Sequence, residues 1–145
     1  RLVVTLVASV VLLVSTVALW TFSAHMRFTQ DMKTYDRLVA EVKELLVAGD
    51  LNEAMMIKLN GADSLACAYE RTRYNGRLGT EAGVLKDSLF KVCKDKSDQA
   101  YKRMLSDKNE ADKEVFLHYL RLANLLRPSK GFENMLKIYD KTDNL

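Results

Sequence analysis

The chain changes character after residue 24. From residue 2 to residue 24 no side chain is charged, and Ser and Thr are the only departures from apolar character. A bilayer's hydrocarbon core is about 30 Å thick and a helix rises about 1.5 Å per residue, so about 20 apolar residues cross it. This run supplies 23. Its hydroxyls can bond back to carbonyls of the preceding turn, which makes them tolerable in lipid. Trp20 and Phe22 sit near one end, where aromatic rings suit the headgroup level, and His25 and Arg27 follow as the exit into water. Two rival readings fit less well. A buried helix of a soluble protein needs apolar neighbours on every side, and the rest of the chain offers amphipathic segments. A cleaved secretory signal has an apolar region of about 7–15 residues, shorter than this one. Residues 1–24 are therefore expected to be a transmembrane anchor. Thr5, Ser9 and Thr16 fall on one face of it, with Ala8 and Ser15 beside them. Such a stripe lets another membrane helix approach closely.

Beyond the anchor the apolar positions recur at helical spacing. Phe28, Met32, Tyr35, Leu38 or Val39, Val42 and Leu45 or Leu46 continue in three- and four-residue steps, with Arg27, Lys33, Arg37, Glu41 and Glu44 on the polar face. One helix is expected from Leu2 to about Ala48, its segment 25–49 leaving the membrane as a stalk and Gly49 ending it. Asp50 and Glu53 have the spacing of a capping box that restarts a helix. Asn60-Gly61 predicts a break, with a further piece capped by Asp63 or Ser64 and running to about Tyr74. Residues 75–79 (NGRLG) form the clearest loop. Thr80 is expected to cap a long helix through Leu105, with a restart at Ser97, and residues 106–109 form a turn. Phe116, Tyr119, Leu120, Ala123 and Leu126 mark a helix that stops at Pro128, and Ser129 caps a last one carrying Phe132, Met135, Leu136 and Tyr139. No stretch alternates with period two. The expected fold is all-α: an anchor (1–24), a helical stalk (25–49) and a soluble domain of antiparallel helical hairpins (50–145).

One stretch resembles a known turn. Residues 45–54, LLVAGDLNEA, are similar to the inter-helix turn of tetratricopeptide repeats, where Gly-Asp-x-x-Glu-Ala joins two packed helices. The similarity covers ten residues, and the repeat spacing of about 34 residues does not recur. It implies a helical hairpin at this point and no more.

Composition narrows the class. About 120 residues beyond the anchor suffice for one domain with its own core. A net charge of +3 is too small to announce nucleic acid, and none is expected as a partner. The chain opens on Arg1 rather than Met, and the expectation is either a removed targeting peptide of mitochondrial type or a disordered stretch ahead of Arg1. The charges flanking the anchor do not fix its orientation. Cys67 and Cys93 lack metal spacing. In a hairpin turning near Arg77, Ser88 rather than Cys93 falls opposite Cys67. The offset of five residues, about 7–8 Å, exceeds easy disulfide geometry. Both are expected to be plain core or surface residues.

Chemistry is sparse. His25 and His118 are the only histidines and have no partners at metal or catalytic spacing. No phosphate-binding glycine motif occurs. No catalytic residue, metal or cofactor is predicted, and no enzymatic activity is expected. The most informative charged feature runs from Arg71 to Arg103, with nine Lys or Arg against four acids. Arg71, Arg73 and Arg77 cluster at the loop, where they form a solvated face or meet an acidic partner or an anionic lipid; the one bound molecule entertained for the protein is a phospholipid such as cardiolipin. The leading functional expectation is a non-catalytic, single-pass accessory subunit of a mitochondrial inner-membrane complex, a respiratory complex or ATP synthase. Its partners would be the bilayer and neighbouring subunits. The alternatives are an anchored receptor or adaptor with a peptide-binding helical domain, and the ectodomain of a membrane sensor.

Overall fold

The computed structural model describes residues 1–140, and these form an all-α protein of five helices with no strand among them. The helices are α1 (Leu2–Ala48), α2 (Glu53–Ala68), α3 (Glu81–Asp107), α4 (Glu110–Leu126) and α5 (Lys130–Asp140). At about 1.5 Å per residue, α1 is about 70 Å long, and its 47 residues join the apolar stretch to the domain without interruption. It contains a segment long and apolar enough to cross a membrane, and none of that segment is buried.

Gly49 ends α1 in the left-handed conformation (φ 83°), its N–H donating to the Leu46 carbonyl. Only glycine adopts this geometry without strain. The chain then reverses, and α2 returns antiparallel along α1. Lys58 meets Glu41 at 2.9 Å, Gly61 lies against Leu38, and the Tyr69 hydroxyl reaches Asp31. This is the hairpin that the tetratricopeptide-like turn implies. Its cap differs from the expected one. Asn52, not Asp50, is the N-cap, its side-chain oxygen accepting the Met55 N–H at 2.9 Å. Glu53 is thereby the first helical residue and lies too early to close a box.

The break expected at Asn60-Gly61 is absent, and α2 runs straight through both. Tertiary contacts override the local signal. The Asn60 side chain donates to the Leu125 carbonyl at 2.7 Å, which ties α2 to the end of α4. A Cβ at Gly61 would meet Leu38 Cδ1 at 3.6 Å, an ordinary contact. Gly61→Ala should therefore raise stability by about 0.5–1 kcal/mol through helix propensity alone. A melting temperature in detergent that fell on this substitution would show that α1 and α2 pack closer than described.

The segment expected to be a stalk also forms a wall of the core. Phe28, Tyr35, Val39 and Val42 are buried, at steps of seven, four and three that place them on one helix face. They pack with Met55, Met56, Leu59 and Ala62 of α2, Leu89 and Cys93 of α3, and Leu122, Ala123 and Leu126 of α4. The packed domain thus begins near residue 28. A second cluster holds the far end, where Phe116 packs on Tyr101 and Tyr139 with ring centroids 5.2 and 5.4 Å apart.

α3 and α4 form the second hairpin. Thr80 precedes α3 but makes no side-chain cap bond. The buried Tyr35 hydroxyl of α1 instead accepts the Ala82 N–H at 3.0 Å and donates to the Gly79 carbonyl at 3.4 Å. An orphan donor at the helix start is thus satisfied from another helix. α3 does not restart at Ser97, which is buried in mid-helix. Lys108 (φ 47°) closes α3, and Asn109 caps α4 through the Ala111 N–H at 3.1 Å. Ser129 opens α5, its hydroxyl accepting the Gly131 N–H at 3.2 Å.

Candidate functional site

The residues singled out in the sequence fall into two places. Thr5, Ser9 and Thr16 line one shallow hollow on α1 together with Ala8, Leu12, Leu13 and Val17. Their hydroxyls donate to the carbonyls of Arg1, Thr5 and Leu12, at 2.7, 2.8 and 2.7 Å. The donors are consumed inside the helix. What the stripe offers a neighbour is small size and spare acceptor capacity, not hydrogen-bond donation.

The second place joins two features that are far apart in sequence. Because α2 runs back along α1, the turn between α2 and α3 returns to the point where the apolar stretch ends. Trp20, Thr21, Ser23, Ala24 and Arg27 of α1 and Tyr69, Arg71, Thr72, Arg73 and Tyr74 of the turn line a common cleft of about 610 Å³. A smaller hollow of about 230 Å³ beside it is lined by His25, Arg73, Tyr74 and Arg77. The expected interface residues Trp20, His25 and Arg27 and the expected contact residues Arg71, Arg73 and Arg77 are therefore neighbours. Phe22 is exposed on the helix and belongs to neither hollow.

An aromatic cluster holds the turn in place. The helix expected to reach Tyr74 stops at Ala68. From there the backbone proceeds by tight turns, with Thr72 N–H donating to Tyr69, Asn75 to Thr72 and Arg77 to Tyr74. The turns swing Tyr74 onto Phe28, stacked at 4.2 Å, and Tyr69 against the Phe28 edge at 5.4 Å. Arg73 donates to the Tyr74 hydroxyl at 2.7 Å and lies 4.9 Å from its ring centroid, with Arg77 at 5.8 Å. Tyr74 thus gathers two guanidiniums by cation–π attraction. Phe28, Asp31, Tyr69 and Tyr74 are not marked as site residues by the sequence. Counting back along a hairpin centred on residues 49–52 would have placed Tyr69 near Asp31.

The Tyr69 hydroxyl donates to Asp31 at 2.5 Å. Burial, then this bond to a carboxylate, pushes the phenol up to about 12 from its ordinary 10.0. The folded state therefore holds a proton that the unfolded chain releases near pH 10. The resulting stabilisation is complete below pH 10 and is lost as pH rises through about 12. Tyr69→Phe should flatten this alkaline loss, measured as the drop in melting temperature between pH 9 and 11.5. Tyr139, raised by its bond to Tyr101, titrates in both proteins, so the difference isolates Tyr69. Equal slopes would show that the Tyr69–Asp31 bond is not formed.

Three other basic residues of the run are engaged elsewhere. Lys86 pairs with Asp63 at 3.2 Å, Arg103 with Asp112 at 3.7 Å, and Lys96 lies 5.2 Å from the Tyr119 ring centroid. His118 contacts the Leu51 carbonyl at 3.2 Å, bracing the first hairpin's turn. Burial pushes both thiols up, Cys93 to about 11, which keeps them protonated and poor nucleophiles at neutral pH. Among the described residues no group of three His, Cys, Asp or Glu side chains is placed to hold a metal. No family model, curated protein or solved structure matches this chain.

Proposed function

We propose that this protein is a single-pass, membrane-anchored, non-catalytic subunit that binds other subunits of a larger membrane assembly. The observation that carries the reading is the bare apolar half of α1. Its large side chains are mostly more than half exposed, from Leu2 at 79% to Val10 at 52%, on a helix continuous with a well-packed domain. An apolar surface of this extent needs lipid or protein around it. Its length suits a bilayer, and the hollow around Ser9 suits a neighbouring helix. The rest of the domain supports an architectural role, because its polar contacts brace helices.

The narrower form of the proposal is an accessory subunit of a mitochondrial inner-membrane complex, either a respiratory complex or ATP synthase. Its support is the combination of an anchor, a helical interaction domain and a basic collar beside the anchor. The test is Ser9→Phe in the full chain. A bulky ring in the hollow should lower the amount of protein that co-migrates with its assembly on a native gel by about tenfold or more, while helix content and melting temperature hold. Unchanged co-migration would remove the packing role given to this face.

A further inference from the structure

We propose that the cleft between Trp20 and Arg73 binds the headgroup of one anionic phospholipid, with the phosphate among Arg27, Arg71 and Arg73 and the acyl chains running along α1 past Trp20. The inference rests on the anchored reading above and specifies what the collar does.

Three observations carry it. First, the cleft is divided as an amphiphile is. Trp20, Thr21 and Ala24 continue the uncovered apolar helix into the cleft, and Arg27, about one turn further along α1, lines it together with Arg71, Thr72 and Arg73. Second, the cations are unspent. Among the described residues none of Arg27, Arg71, Arg73 and Arg77 pairs with a carboxylate. The nearby acids are committed or turned aside. Asp31 accepts the Tyr69 hydroxyl, and Glu70 lines a separate hollow with Asp63 and Cys67. Third, the site is pre-arranged. Arg73 is held by the Tyr74 hydroxyl and ring, and Tyr74 is itself buried on Phe28. Fixing a guanidinium beforehand reduces the ordering cost of binding, and its fork matches two phosphate oxygens. An acidic peptide or RNA would satisfy the arginines but would place polar groups against Trp20. The apolar wall favours a lipid.

The chain's single tryptophan lies in the cleft and serves as the probe. The full chain is reconstituted in phosphatidylcholine vesicles containing brominated phosphatidylglycerol or, separately, brominated phosphatidylcholine at equal mole fraction, and Trp20 quenching is measured. One basic residue at an anionic surface contributes about fivefold in relative binding. Wild type should therefore prefer the anionic quencher by about tenfold or more. Arg71→Gln with Arg73→Gln should lose most of that preference at unchanged helix content, and Arg71→Lys with Arg73→Lys should keep part of it. Inorganic phosphate at 10 mM (on the order of ten times a weak surface Kd) and constant ionic strength should leave the preference intact; its loss would mean a free-phosphate site and overturn the lipid assignment. Equal quenching by both lipids would also overturn it while leaving the anchor in place. No quenching by either lipid would overturn the anchored reading itself.

Discussion

Tyr35→Ala should cost about 3–5 kcal/mol of stability, a large share of the 5–15 kcal/mol typical of a domain. The residue is 3% exposed and packs where α1, the basic turn and α3 meet. Truncation removes a buried ring and also leaves the Ala82 N–H without its acceptor. Tyr35→Phe separates the two effects. It keeps the ring and loses only the hydroxyl, which leaves the buried Ala82 N–H unpaired, so about 1–3 kcal/mol is expected. Urea unfolding of the full chain in micelles measures both. A Tyr35→Ala variant within 0.5 kcal/mol of wild type would show that the turn is not seated on α1. The same variant should also abolish the lipid preference of Trp20, because the arginines of the turn lose their position when Gly79 and Ala82 are released.

Val14→Arg tests the other half of α1 and has two sharply different expectations. Val14 is 59% exposed, on a stretch of α1 none of which is buried in the isolated chain. In water, a substitution at such a site changes stability by no more than about 0.5 kcal/mol. At the middle of a membrane helix, arginine costs about 2.5–3.5 kcal/mol, a factor of about 100 in insertion. The account predicts the second outcome. Membrane pellets washed at alkaline pH should retain wild type and lose most of the Val14→Arg protein, while the domain's thermal unfolding stays the same. Equal retention of the two would mean that this segment does not cross the bilayer.

Much of the fold was legible because its signals are local. The apolar half of α1 shows in an uncharged run, α4 in its apolar stripe and its stop before Pro128, and the α1–α2 hairpin in Gly49. Errors arose where a distant partner outweighed a local preference. Asn60-Gly61 reads as a break until Leu125 supplies the acceptor for Asn60. Ser97 reads as a cap until the surrounding helices bury it. Residues 28–42 read as a stalk because a helix pattern shows which face is apolar and not what covers it. The site was legible in parts and not as a whole. Trp20 and Arg27 announce an interface and Arg71, Arg73 and Arg77 announce a charge cluster, but their meeting depends on the register of α2 against α1. That register is set by the four-residue link between the two helices, Gly49 through Asn52, and by the stacking of Tyr74 on Phe28.

In the proposed role α1 fixes this chain in a membrane as one subunit among others. Gentle detergent extraction of the native membrane, followed by native gel separation and mass spectrometry of the co-migrating proteins, tests it most directly. Recovery from the membrane fraction in a stable, stoichiometric assembly with other membrane subunits is expected, and the identity of those subunits would decide the mitochondrial form of the proposal. Recovery without detergent, or migration as a lone chain, would contradict it.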